Sequence, residues 1–354
     1  MDSLSHRTAS LMDVARLAGV SRSTAARALG GYGSVSGELV AMVVAAAETL
    51  GYRGNALARS VSSGRSHTIG VVVSDIENPY FARAVRGIAD KAKESGFDVI
   101  LANTDENVEA ERAAVQVFLD KRVDGLIVAS ATRSDSAHLL DVVRMERPLV
   151  LFDRRPDDVV ADRVGTDSYA DARKVLGHLA EHGHRRIAFV SATTKTPEEL
   201  EAGHPLPIST IADRVRAIKD ESAETGLEYQ LISGVMSPEL THAAVTELLG
   251  SPGRPSALIM SYSRLALPAF QAIKALGLRV PDDVSLVCLD DTDWMTVSAP
   301  PVSAVHVPSY ELGVRAAEIL LARIAGGGPE STDHLLPTEF VERESVGHLS
   351  LATP

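Results

Sequence analysis

The chain has 354 residues, 45% hydrophobic and 23% charged, and its 47 acids against 35 bases give a formal charge of −12. That length suggests two or three domains with sizeable cores, and no run approaches the roughly 18 apolar residues of a membrane span. The opening stretch, MDSLSHRTASLMDVA, lacks the apolar centre of a secretory signal, and the single cysteine, Cys288, allows no intramolecular disulfide. A reducing, cytoplasmic location is expected, with Cys288 in VSLVCLD as a small apolar residue of a buried strand.

The charge is unevenly spread. Residues 1–66 hold seven arginines against four acids, a net +3, so the remaining 288 residues carry −15. A basic segment on an acidic chain points to a polyanion partner for that segment alone.

The opening segment reads as helices in close succession. Ser10, with Asp13 three residues on, is a capping-box variant that starts a helix over about 11–18. Gly19 ends it, because the turn needs a residue that accepts positive φ. Ser21 then caps a second helix through about Leu29. Two short helices joined by a glycine turn form a helix-turn-helix. Val14, Ala18, Val20, Ala25 and Ala28 supply its core, and Ala15 is small where the helices cross. Arg22, Ser23 and Arg27, with Thr24 beside them, form the polar face that can reach base edges and phosphates. A third helix is predicted over 38–50, with Val40, Val43, Val44 and Ala47 as its apolar stripe. Asn55 can cap a short helix through Val61, and SSGRS after it is a flexible joint.

From His67 the pattern becomes α/β. Apolar runs (TIGVVV, FDVILAN, VDGLIVAS, PLVLFD, RRIAFVSA, YQLIS, SALIMSY, VSLVCLDD) alternate with helical segments. Continuous apolar strands separated by helices indicate parallel sheets covered on both faces. Eight strands in two groups of four suggest two similar lobes. A ligand would then sit between them, at the carboxyl ends of the strands.

The blocks LMDVARLAGVSRSTAARALG, LGYRGNALARS, IGVVVSDIENPYF, VGTDSYADARKVLGHLAEHGHRRIAFV, LGLRVPDDVSLVCLDD and PTEFVERES occur in one order along nearly the whole chain. In this the sequence resembles the LacI/GalR (lactose-repressor) family. The resemblance implies an N-terminal helix-turn-helix head and hinge helix over 1–66. It implies an effector-binding and dimerisation core of two periplasmic-binding-protein-like lobes over 67–350, with the chain crossing between lobes near 166, 303 and 332. It also implies a homodimer on a palindromic operator in double-stranded DNA, with DNA affinity set by a small effector. The C-terminus, RESVGHLSLATP, shows no leucine heptads, which favours a dimer over a coiled-coil tetramer.

Carried onto this chain, Ser10 matches a phosphate-contacting hydroxyl position, and Ser21, Arg22, Ser23, Thr24 and Arg27 match DNA-facing positions. Asn55, Ala58, Arg59 and Val61 match the hinge helix, with Val61 at the apolar lever. The chain departs from the family at Ala25-Ala26 (usually Val-Ser), Gly30 (usually Asn) and Gly54 (usually Pro). In the core, Tyr80, Phe81, Asp153, Arg154, Arg214 and Asp290 match effector-cleft positions. Tyr262 and Val307 stand where the family usually has Asn and Gln. Arg and Asp suit the vicinal hydroxyls of a carbohydrate, and Trp294 could stack on a sugar face or pack under a loop. Residues 193–210 form a longer loop that could border the cleft.

Enzyme features are weak. His178, His182 and His184 are spaced like metal ligands, but Gly183 breaks the helix after His182, so the block reads as a helix-to-strand corner with no metal. Asp290 and Asp291 are adjacent on a strand and point to opposite faces. GGYG at 30–33 lacks a preceding strand. No catalytic residue or cofactor is expected. The reading is a DNA-binding transcriptional regulator, a repressor controlled by a sugar or sugar derivative. The alternatives are an enzyme on a nucleotide-binding α/β fold, which would need a glycine fingerprint where SDIENPYF stands, and a transport solute-binding protein, which would need a signal peptide and no helix-turn-helix.

Overall fold

The computed structural model describes residues 9–30, 33–52, 65–191, 193, 195, 199, 204–235, 237–328 and 331–349. Asn55, Ala58, Arg59 and Val61 lie outside the described residues, as does part of the 193–210 loop. The chain divides into two compact units, Met1–His67 and Thr68–Pro354.

The first unit holds α1 (Leu11–Leu17), α2 (Arg22–Gly30) and α3 (Gly37–Thr49). Ser10 and Asp13 close a full capping box: Asp13 N–H donates to Ser10 Oγ at 3.3 Å, and Ser10 N–H donates to Asp13 Oδ2 at 2.9 Å. Gly19 sits at φ +65°, the left-handed turn that lets α2 leave α1 sharply. Thr24 N–H donates to Ser21 Oγ at 3.1 Å, capping α2. Val14, Ala25 and Val43 are fully buried at the junction of the three helices, where small side chains allow close crossing. The stripe on α3 is rotated from the expected one. Ala46 is buried with Val43 and Ala47, while Val44 lies on the solvent side.

The second unit is built from alternating strands and helices. In chain order these are β1 (Thr68–Val73), α4 (Pro79–Glu94), β2 (Asp98–Asn103), α5 (Val108–Asp120), β3 (Gly125–Val128), α6 (Ala137–Arg144), β4 (Leu149–Phe152), β5 (Asp162–Gly165), α7 (Ser168–Glu181), β6 (Arg186–Val190), α8 (Ser209–Thr225), β7 (Glu228–Ile232), α9 (Pro238–Gly250), β8 (Ala257–Met260), α10 (Ser263–Ala275), β9 (Ser285–Cys288), α11 (Asp293–Val297), β10 (Ser303–His306), α12 (Ser309–Ile324), β11 (Asp333–Leu335) and β12 (Glu339–Val341). All eight predicted strands are present. Each sheet has six strands rather than four: β11-β5-β4-β3-β1-β2 in lobe 1 and β12-β10-β9-β8-β6-β7 in lobe 2. Every pairing is parallel except β10 with β12.

The chain passes between lobes three times: after β5, between β10 and α12, and between β11 and β12. The second and third passages come slightly later than expected, because β10 and β11 fill residues that had read as connections. After the second, α12 returns to lobe 1 and buries Leu312, Ala316 and Leu320 in its core. It lies directly on α4. A Cβ built on Gly313 would stand 2.0 Å from Ala84 O, and one on Gly87 would stand 2.2 Å from Tyr310 O. Only glycine permits that approach.

Candidate functional site

The first unit presents α2 to solvent. Ser21, Arg22, Ser23 and Arg27 are exposed and Thr24 is half-buried. The Ser21 hydroxyl lies 2.8 Å from Ser23 Oγ and 2.9 Å from Thr24 Oγ1. Arg27 Nε donates to Ser23 O at 3.3 Å, which lays the guanidinium along the helix surface. With about 100° per residue, Arg22, Ala26, Ser23 and Arg27 share one face. Ala25 is fully buried. Of the two alanines that replace the family's Val-Ser, only Ala26 therefore removes a hydroxyl from the exposed face.

In the second unit a cavity of about 520 Å³ opens between the lobes. It lies where open α/β sheets take ligands, beyond the carboxyl ends of β1, β2, β4, β8 and β9. Tyr80, Phe81, Asp153 and Arg154 line it from lobe 1, and Arg214, Tyr262 and Asp290 from lobe 2. Val307 lines it from the second passage between lobes. Thr210, which had read as the end of the 193–210 loop but lies in the first turn of α8, lines it as well. Trp294 is outside this lining: it packs on the lobe 2 core, its ring 5.9 Å from Phe270. The sugar-stacking expectation for Trp294 gives way to the packing one, since α11 turns its ring inward while Asp293 beside it pairs with Arg83 of lobe 1 at 2.8 Å.

Several charged groups in and around the cleft were not legible in the sequence. Glu106 forms a two-pronged pair with Arg154, at 2.5 and 2.7 Å, and the guanidinium lies 5.5 Å over the Phe81 ring. Arg264 of lobe 2 pairs with Asp75 and Glu77 of lobe 1 across the cleft mouth. Arg155 of lobe 1 reaches Asp213 of lobe 2 at 3.1 Å. Asp105, Glu106 and Asp153 adopt left-handed φ values of 49°, 61° and 63°. Such backbone is uncommon outside glycine and tends to gather at binding sites. Placement of Glu106 and Asp105 just beyond β2 is the one signal that could have found them.

The electrostatics separate paired from unpaired charges. Burial alone would raise the Glu106 pKa, but the Arg154 guanidinium outweighs it and holds the carboxyl below its ordinary value. Asp290 differs. Burial pushes it up to about 6, although the Cys288 thiol, the Ser263 hydroxyl and Arg214 all favour its charged form. Ser263 Oγ donates to Asp290 Oδ2 at 3.1 Å and Cys288 Sγ to Oδ1 at 3.2 Å. Burial and then Asp153 push the Tyr80 phenol up, and burial pushes Tyr262 up to about 12, so both are neutral donors. Arg214 donates from Nη1 to Ser261 O at 2.7 Å, while its Nε, Arg154 Nε and Ser261 Oγ are buried without a hydrogen bond. Unsatisfied buried donors cost free energy unless a ligand or water meets them.

A polar cleft between two parallel-sheet lobes, in a chain that also carries an exposed helix-turn-helix, defines a ligand-responsive DNA-binding regulator. Residues 10–55 match the family described as bacterial regulatory proteins, lacI family, and residues 176–346 match the periplasmic binding protein-like domain. The HTH-type transcriptional repressor PurR of Mannheimia succiniciproducens is 30% identical over 341 residues, covering 96% of this chain and 98% of that protein. The Lac repressor dimer bound to operator and the anti-inducer ONPF is similar over 96% of this chain and 100% of that one, with a TM-score of 0.82 at 25% identity. The complex of the transcriptional regulator CelR with cellobiose is similar over 95% and 99%, with a TM-score of 0.67 at 29% identity. The chain belongs to the lacI family of bacterial regulatory proteins. It is a DNA-binding transcriptional regulator that answers to a small molecule, and not an enzyme. Among the described residues, no helix is long and apolar enough to cross a membrane.

Proposed function

We propose that the chain is a cytoplasmic repressor, active as a homodimer on a palindromic operator, and released from or held on DNA by a neutral polyhydroxy ligand of the sugar class. In this reading residues 1–66 are the DNA-binding head and hinge, and residues 67–350 are the effector and dimerisation core. Ser10, Ser21, Arg22, Ser23, Thr24 and Arg27 contact DNA from the head. Asn55, Ala58, Arg59 and Val61 form the hinge, with Val61 entering a minor-groove step. The operator-bound Lac repressor dimer and the CelR–cellobiose complex support the partner classes.

The observation that carries the ligand reading is the cleft's set of unmet donors beside carboxylates. Arg154 and Arg264 are already matched by Glu106 and Asp75. Without a two-pronged partner of its own stands Arg214, whose Nε makes no hydrogen bond, and Asp153 and Asp290 line the cavity with it: one guanidinium against two carboxylates. That balance suits hydroxyls, which both donate and accept, and disfavours a phosphate, which would add a dianion beside two acids. Calorimetry with a panel of neutral sugars, polyols and sugar phosphates tests it, on the parent and on Arg214→Ala. A neutral sugar should bind, and the variant should lose about 10- to 150-fold in affinity, the worth of a charged hydrogen bond. Ligand-free operator binding should be unchanged. A sugar phosphate as the tightest ligand, or an Arg214→Ala variant with parental affinity, would contradict the reading.

A further inference from the structure

The carboxyl end of α7 gathers side chains that the transcriptional role does not use. His178 and His182 are four residues apart, so they lie one above the other on one helix face. Gly183 does break the helix, at φ +85°, but only after both imidazoles have been placed. The third histidine of the sequence cluster turns away. His184 is buried, with Nδ1 2.8 Å from Ser256 Oγ and Nε2 3.0 Å from Ser285 Oγ, so both ring nitrogens are occupied. Its place is taken by a residue remote in sequence, Glu342, which follows β12. One ligand atom each from His178, His182 and Glu342 lies within 4.8 Å of the others.

The protonation pattern of this group is that of a prepared site. His182 Nδ1 lies 2.8 Å from the His178 carbonyl oxygen. A carbonyl can only accept, so Nδ1 carries the proton and Nε2 presents a lone pair. A ring nitrogen held by a backbone carbonyl is the usual support behind a metal-ligating histidine. His178 Nε2 is shielded from solvent and makes no hydrogen bond, so it too is uncommitted. Glu342 is exposed, and among the described residues it takes part in no hydrogen bond or salt bridge. The Phe340 ring packs 4.8 Å from the His178 ring, and the His348 ring stacks 4.1 Å from that of His182, walling two sides.

We propose that His178, His182 and Glu342 bind a divalent transition metal of the zinc class. Two imidazoles and a carboxylate are a zinc donor set, with water completing the tetrahedron. Bonds of about 2.1 Å require ligand atoms about 3.4 Å apart. Small rotations of the exposed Glu342 side chain and of the imidazoles would supply the contraction. The metal would clamp the end of α7 to the segment after β12, the last strand to join lobe 2. This site is separate from the cleft: none of its residues lines the cavity.

The test uses the full-length chain, freed of metal with a chelator and then titrated with zinc by calorimetry, and with cobalt(II) by visible absorption. The parent should bind one zinc per chain and give the intense bands of four-coordinate cobalt. His182→Ala and Glu342→Gln, both near the surface, should fold and weaken zinc binding by at least about 10-fold, with the cobalt bands lost. His184→Asn should leave zinc binding unchanged wherever that variant folds. No binding by the parent, or parental affinity in both His182→Ala and Glu342→Gln, would overturn the assignment.

Discussion

Asp290→Asn should stabilise the ligand-free protein while weakening its response to ligand. Asp290 is 7% exposed, and burial raises its pKa from the ordinary 3.8 to about 6. A carboxyl whose pKa is raised on folding costs no stability below the unfolded value, and the cost grows as pH rises until it levels off above the folded value. The gap corresponds to about 3 kcal/mol at pH 7 and above, about half of that near pH 5, and about a fifth near pH 4. Asparagine has the same shape and no charge to bury. Its amide can still accept from Ser263, which donates to Asp290 at 3.1 Å. The variant should therefore gain up to about 3 kcal/mol at pH 7.5, or roughly 5 °C in melting temperature for a unit of this size. Thermal melts of parent and variant between about pH 5 and 7.5 measure the gain. It should shrink steadily as pH falls. Ligand affinity should drop, because Arg214 loses its acidic neighbour and the ligand loses a charged acceptor. A variant that is less stable than the parent at pH 7.5, or equally stabilised at both ends of the range, would refute the claim that Asp290 is held ionised at a cost.

Other outcomes follow from the same reasoning. If each head meets phosphates through roughly three to five basic side chains, a dimer neutralises about six to ten, and operator affinity should fall about 10³- to 10⁵-fold from 50 to 200 mM salt; a flat response in fluorescence anisotropy would contradict this. Gly313→Ala should cost about 1–3 kcal/mol by forcing α12 away from Ala84, seen as a lower melting temperature, whereas an unchanged melt would mean the helices part freely. Val61→Asp should nearly abolish operator binding and leave ligand affinity intact, because a carboxylate would be driven against bases and phosphates; a variant that binds and bends DNA like the parent would make Val61 a spacer.

The head was legible because its signals are local. A hydroxyl and an acid three residues apart, one glycine and a set of small residues define it, and the structure places each as read. Even there, the side of α3 that faces the core depended on packing, which is why Ala46 and not Val44 is buried. The strands with continuous apolar runs were equally readable. β5 was not, because its sequence, DRVG, is half charged. Asp162 is tolerated inside through Arg323, at 2.7 Å, and Thr332, whose N–H donates at 3.0 Å, and Arg163 faces Asp333 at 3.8 Å. Those partners lie far along the chain, so no window of local sequence reveals them. β10 and β12 are short and hidden for the same reason: they are strands because they find a neighbour. In the cleft, residues carried by the family blocks were found, and Glu106 and Arg264 were missed, since their significance comes from pairing with Arg154 and Asp75. Glu342 beside His178 and His182 is the extreme case, a contact made by the last passage between lobes.

The central claim is that ligand occupancy of the cleft controls sequence-specific DNA binding. Selection of DNA from a random pool by the full-length chain, followed by anisotropy titrations of the selected sequence with and without the sugar that binds best, tests it most directly. The account predicts a two-fold symmetric site whose affinity changes at least about 10-fold on adding the sugar, with that change absent in Arg214→Ala. Failure to enrich any sequence, or an affinity for the enriched site that no cleft ligand alters, would contradict it.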